Sequence, residues 1–201
     1  MHILSSQKIN FDINSKLPYE RGLSKIQEIF CQQKLYNSFI AGGSLFRLLE
    51  CAKDKCDIDI FCTSYKDLIK LKHTFSDKNN FTKGLSTDQS YTYYDKDGQI
   101  YQLIKHVYHD PISLVDDFDL NISQILFNKD QIIHFHKDNV KIKTHNIKCP
   151  LRTLTRIVKF SKYRKVSYCA YANILAKIAD PANYEQIIRT LGNLKNYERF
   201  Y

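Results

Sequence analysis

Two short stretches decide the fold. In Ser38-Phe39-Ile40-Ala41-Gly42-Gly43-Ser44 an apolar strand-forming run breaks on paired glycines, and in Cys56-Asp57-Ile58-Asp59-Ile60-Phe61-Cys62 two aspartates alternate with isoleucines. Successive side chains on a strand point to opposite faces, so Asp57 and Asp59 share one face while Ile58 and Ile60 bury on the other. Neighbouring carboxylates repel unless a cation lies between them. An oxygen-only pair suits Mg²⁺ or Mn²⁺ and not zinc. The glycines let backbone N–H groups approach a phosphate closely where a helix begins. Ser44 adds a hydroxyl at that point and is expected to cap a helix running to Lys53.

Working outward, Leu23, Ile26, Ile29 and Phe30 recur at helical spacing and predict a helix over 19–34. A helix over 65–75 follows the Asp-x-Asp strand, with Leu68, Ile69 and Leu71 as its apolar stripe. Residues 77–90 are polar and read as a loop. Asp95-Lys96-Asp97-Gly98 is a turn signal joining hairpin strands over 91–94 and 99–107. Pro111 opens a short helical turn to Asp117. The run 118–127 is the longest strand candidate, turning through 128–130 into a strand over 132–136. After Pro150 the pattern is helical, over 151–165, 167–179 and 183–199.

A third carboxylate is needed to complete a two-metal cage. Asp119 fits, because Asp119, Asn121 and Ser123 would share one face of the 118–127 strand, with Leu120, Ile122 and Leu126 on the other. Asp116 and Asp117 compete with it but fall before the strand. His134 and His136 alternate on one face, and His106 and His109 lie nearby; these read as solvated histidines rather than ligands.

This ordered set, Gly42-Gly43-Ser44, then Asp57 and Asp59, then Asp119, resembles the DNA polymerase β-like nucleotidyltransferase superfamily over about residues 20 to 165. A looser likeness, in FDLNISQILF and LRTLTRIVKFSKY, is to short nucleotidyltransferases of phages and large DNA viruses. The resemblance implies an α+β fold, a mixed sheet flanked by helices, and transfer of a nucleoside monophosphate from a nucleoside triphosphate, ATP or CTP, to a hydroxyl. It implies Mg²⁺ or Mn²⁺ held by Asp57, Asp59 and Asp119, with Gly42, Gly43 and Ser44 on the phosphates. The expected division is a catalytic core over 1–149 and a helical region over 150–201 that closes the nucleotide site.

In such enzymes a basic helix behind the metals holds the triphosphate. A helical wheel over 151–165 puts Arg152, Arg156, Lys159 and Tyr163 on one face and Leu151, Leu154, Ile157 and Val158 opposite. Arg156, Lys159 and Tyr163 are therefore nucleotide-binding candidates, and Arg152, Lys162, Arg164 and Lys165 RNA-binding candidates.

The charge distribution sharpens the partner. The 201 residues carry a net charge of +9, of which residues 151–201, with ten basic and three acidic residues, hold +7. A basic tail and 14 tyrosines favour an RNA acceptor, such as a transfer-RNA 3′ end. The same core also serves nucleotidylation of a protein or small molecule, and a non-catalytic nucleic-acid-binding module is a rival of a different class. A 43% apolar content excludes intrinsic disorder. No run approaches a membrane span. The absence of a leader and of any CxxC pair among six cysteines points to reduced thiols and a cytoplasmic setting.

Overall fold

A computed structural model describes residues 5–8, 11, 14–15, 18–50, 56–129, 131–135 and 140–197. The fold is α+β and divides into two compact units, one of residues 1–117 with 123–136, the other of 118–122 with 137–201.

The first unit is built on β1 (Ser5–Lys8), α1 (Pro18–Gln32), β2 (Ser38–Ala41), α2 (Gly43–Leu49), β3 (Ile58–Cys62), α3 (Tyr65–Phe75), β4 (Phe81–Ser86), β5 (Ser90–Asp95), β6 (Ile100–Val107), α4 (Pro111–Asp116), β7 (Ile125–Asn128) and β8 (Gln131–His134). Its strands form one mixed sheet in the order β1-β8-β7-β2-β3-β6-β5-β4. The β3/β6 pair is parallel and the other pairs are antiparallel. Leu23, Ile26 and Phe30 of α1 are fully buried, as the 3.6-residue spacing requires, and so are Ile40, Ile58, Ile60 and Tyr101 of the central strands. Gly22 makes the close approach of α1 to the sheet possible. A Cβ there would stand 2.8 Å from both Gln99 Cγ and Ile58 Cδ1.

Several expectations need correction. The polar stretch 77–90 contains β4, whose pairing to β5 supplies the order that its composition lacks. In α3 it is Leu68, Leu71 and Phe75 that bury, while Ile69 is exposed. Ser44 does not cap α2. The capping position is Gly42, and Ser44 lies one residue inside the helix. The expected end of that helix at Lys53 lies outside the described residues, as do His136 and the last residues of the 183–199 helix.

The long strand over 118–127 does not form. Residues 121–123 make a 3-10 turn, and only 125–128 enters the sheet. The polar side chains explain the break. Asn121 Oδ1 accepts from Lys141 N at 2.7 Å, its own N–H donates to Lys141 O at 3.2 Å, and Lys143 N donates to Asp119 O at 2.8 Å. Residues 119–121 thus pair locally with 141–143, in the second unit.

That unit also holds α5 (Pro150–Ser161), α6 (Tyr168–Ala179) and α7 (Tyr184–Tyr197). Thr153, Ile157 and Phe160 form the buried face of α5, and Ala170 and Ile174 that of α6. Ser167 caps α6 by accepting from Ala170 N at 3.1 Å. Val158, placed on the apolar face of α5 by the wheel, is exposed. The helix stops at Ser161, so Lys162, Tyr163, Arg164 and Lys165 follow it instead of extending its face.

Candidate active site

In the first unit the two diagnostic stretches meet. Ile40 pairs with Ile60 across antiparallel β2 and β3, so the end of β2, where the chain turns into α2, lies beside the start of β3. Gly42 makes the turn with φ 85°, a conformation that a side chain disfavours. Its N–H donates to Ile125 O at 3.3 Å, which ties the turn to β7.

Ser44 is 2% exposed, and its Oγ has no hydrogen-bond partner among the described residues. A buried hydroxyl without a partner is costly, and in the first turn of a helix it is suited to meet a bound anion.

Asp57 precedes β3 directly and Asp59 lies within it, two residues on, as the alternation predicts. Gln102 on β6 pairs in register with Asp59, and its Nε2 donates to Asp57 Oδ2 at 2.9 Å. Asp57 as a residue is exposed, with the Gln102 amide against its carboxyl. Desolvation raises its pKa above the usual carboxylate value, against the lowering effects of the Gln102 amide and the Arg47 charge. Arg47 is 3% exposed on α2 and also hydrogen-bonds Cys56, whose thiol burial nevertheless pushes up to about 11.

Sequence reasoning missed Arg47 and Gln102. A lone cation in the apolar helix GSLFRLL was the available signal for the first. The second depends on β3/β6 register, which no local pattern carries.

Asp119 lies in the second unit and is 5% exposed. Its Oδ2 accepts from Thr153 Oγ1 at 2.5 Å and from Arg156 Nη2 at 2.7 Å. Arg156, expected on a free basic stripe, is thus ion-paired within its own unit. Arg152 and Lys159 are exposed on α5. Among the described residues no three His, Cys, Asp or Glu side chains gather as a metal cage. The fit to a divalent cation rests on the Asp57/Asp59 oxygen set, and the fit to a phosphate on the Ser44 hydroxyl.

Sheet order, the Gly-Gly-Ser turn and the Asp-x-Asp strand together define a nucleotidyltransferase-like fold. Solved structures share it at low identity. A CCA-adding enzyme in complex with ATP is 15% identical, with a TM-score of 0.62 over 92% of this chain and 48% of that one. The Thermotoga maritima CCA-adding enzyme complexed with tRNA is 14% identical, with a TM-score of 0.56 over 87% and 45%. A tRNA nucleotidyltransferase with a primer tRNA and an incoming ATP analogue is 13% identical, with a TM-score of 0.55 over 74% and 48%. The chain spans about half the length of these proteins. No curated protein matches it. The family model of the Gabija anti-defense 2 family protein matches residues 14–143, and the chain belongs to that family.

Proposed function

We propose that this chain is a metal-dependent nucleotidyltransferase that moves a nucleoside monophosphate from a nucleoside triphosphate to a hydroxyl acceptor, releasing pyrophosphate. One observation carries the reading: a buried Ser44 hydroxyl, unpartnered among the described residues, on a glycine turn beside the start of β3, where Asp57 and Asp59 lie. Asp57 and Asp59 would hold Mg²⁺ or Mn²⁺. When bound, the metal lowers the barrier by neutralising charge on the attacking and departing oxygens. Ser44 Oγ donates to a phosphate oxygen, and the backbone at Gly42 and Gly43 lets that phosphate come close.

RNA is the acceptor that the basic tail and the tRNA-bound relatives support, with ATP or CTP as donor. A second reading, nucleotidylation of a protein, is favoured by the family's description as Gabija anti-defense, since covalent marking of a defence component would disable it. Incubation with each labelled triphosphate, Mg²⁺ or Mn²⁺, and RNA and protein pools distinguishes these by which pool is labelled. The double change Asp57→Asn with Asp59→Asn should lower transfer more than about 100-fold; unchanged transfer sinks the proposal.

A further inference from the structure

We infer that the α3 side of the β4–β6 part of the sheet is a binding site for single-stranded nucleic acid, built on Lys72, Lys78, Lys83 and Lys105 of the first unit. Packing fixes which face this is. Tyr93 of β5 stacks on Phe75 of α3 with ring centroids 5.0 Å apart, and Tyr91, two residues along the strand, shares that side. Thr92, between them, pairs with Gln102, which pairs with Asp59. Asp59 therefore belongs to the opposite face.

Three elements deliver cations to the α3 side. Lys72 Nζ of α3 and Lys105 Nζ of β6 lie 4.8 and 4.4 Å from the centroid of the Tyr91 ring, and Lys105 Nζ also donates to Thr87 O. Each contact alone is a cation–π attraction. Together they hold two like charges on one ring, closer than a Debye length in dilute salt (~10 Å), where repulsion is little screened. Lys83 of β4 pairs in register with Tyr93. With Lys78 it edges a cavity of about 390 Å³ walled by Phe75, Phe81 and Tyr93, with Thr82 beside them. Among the described residues no carboxylate forms an ion pair with any of the four lysines. Asp77, next to Lys78, is turned onto its own loop, accepting from Asn79 N at 3.0 Å and Asn80 Nδ2 at 2.8 Å.

Unpaired cations converging from separate elements are relieved by a polyanion. The set favours phosphate over carboxylate: all four are lysines, which meet phosphate as point charges, and none is the arginine fork that grips a carboxylate by two oxygens. The cavity is large enough for one small organic group. Its aromatic walls suit a base or sugar whose flanking phosphates rest on Lys72 and Lys105.

The test is fluorescence anisotropy of a labelled single-stranded RNA of about 12 nucleotides, titrated with the full chain in EDTA at several salt concentrations. Lys72→Ala with Lys105→Ala should weaken binding at least about tenfold and lower the log–log salt slope by about 1.4. Lys72→Arg with Lys105→Arg keeps both charges and should restore binding. Unchanged affinity and slope in the double-alanine chain overturn the site, as does a loss that arginine does not rescue. Oligoglutamate of equal length is the second probe: if it binds as tightly and through the same lysines, the partner is an acidic protein segment and the nucleic-acid assignment falls. Asp57→Asn with Asp59→Asn, which ends transfer on the reading above, should not weaken RNA binding. Weakened binding there would seat the RNA on the carboxylate face and overturn this site, whatever becomes of transfer.

Discussion

Tyr101 is fully buried, and its hydroxyl donates to Asp95 Oδ2 at 2.8 Å. Lys25 approaches the same oxygen at 3.5 Å, and the backbone N–H groups of Asp97 and Gln99 reach Oδ1 at 3.0 Å. Tyr101→Phe leaves this largely buried carboxylate short of one donor and should cost about 1–3 kcal/mol by denaturant unfolding. Burial pushes the Tyr101 and Tyr108 phenols up, with hydrogen bonds to Asp95 and Asp117 adding to it, and burial pushes the Cys62 thiol up to about 12. For groups raised on folding, the contribution to stability is present in full below their unfolded values and lost as pH rises above them. The unfolding midpoint should therefore fall from about pH 9 upward, starting with the thiols and steepening as unfolded tyrosines ionise; a midpoint flat to pH 11 would contradict this. The same burial shields thiols from alkylation, which needs the thiolate. Iodoacetamide at pH 8 should label exposed Cys31 and Cys169 well before Cys62, read by peptide mass spectrometry.

Among the elements, α1 shows a local preference yielding to packing. Gly22→Ala gains about 1 kcal/mol of helix propensity, yet the new Cβ meets Ile58 and Gln99 at 2.8 Å, and overpacking typically costs about 1–3 kcal/mol. We expect a net loss seen as a lower unfolding midpoint; an increase would mean that α1 moves outward freely. Elements whose apolar residues sit at one clear period were legible in the sequence, and β2 and α3 fall at the expected residues. So were the turn at Gly42 and the alternation of Asp59 with buried Ile58 and Ile60, because turn chemistry and strand alternation are local. The misreading of 118–127 came from treating alternating polar residues as a strand face, when Asp119 and Asn121 spend those polar groups fastening their segment to 141–143 and α5. Strand β4 was hidden because FTKGLS has no apolar alternation and gains its order from pairing with β5. Gln102 was invisible because its partner is 45 residues away.

Across the whole molecule, charge and fold are unevenly shared. The family model stops at residue 143, whereas a net charge of +7 lies in residues 151–201. Binding of single-stranded RNA should weaken steeply with salt, and replacing Lys162, Arg164 and Lys165 together by Ala should reduce the log–log slope by about 2. A slope unaffected by the triple change would place any RNA contact elsewhere. No helix among the described residues is long and apolar enough to cross a membrane.

Among the described residues the sheet ends on β1 and β4. The first reads SSQK; the second reads FTKGLS and loses register between Lys83 and Ser86. Short, lysine-bearing or bulged margins resist recruitment of a foreign strand. Any macromolecule that engages this unit is thereby steered away from backbone zippering at the rims, and toward recognition through side chains on its faces and turns.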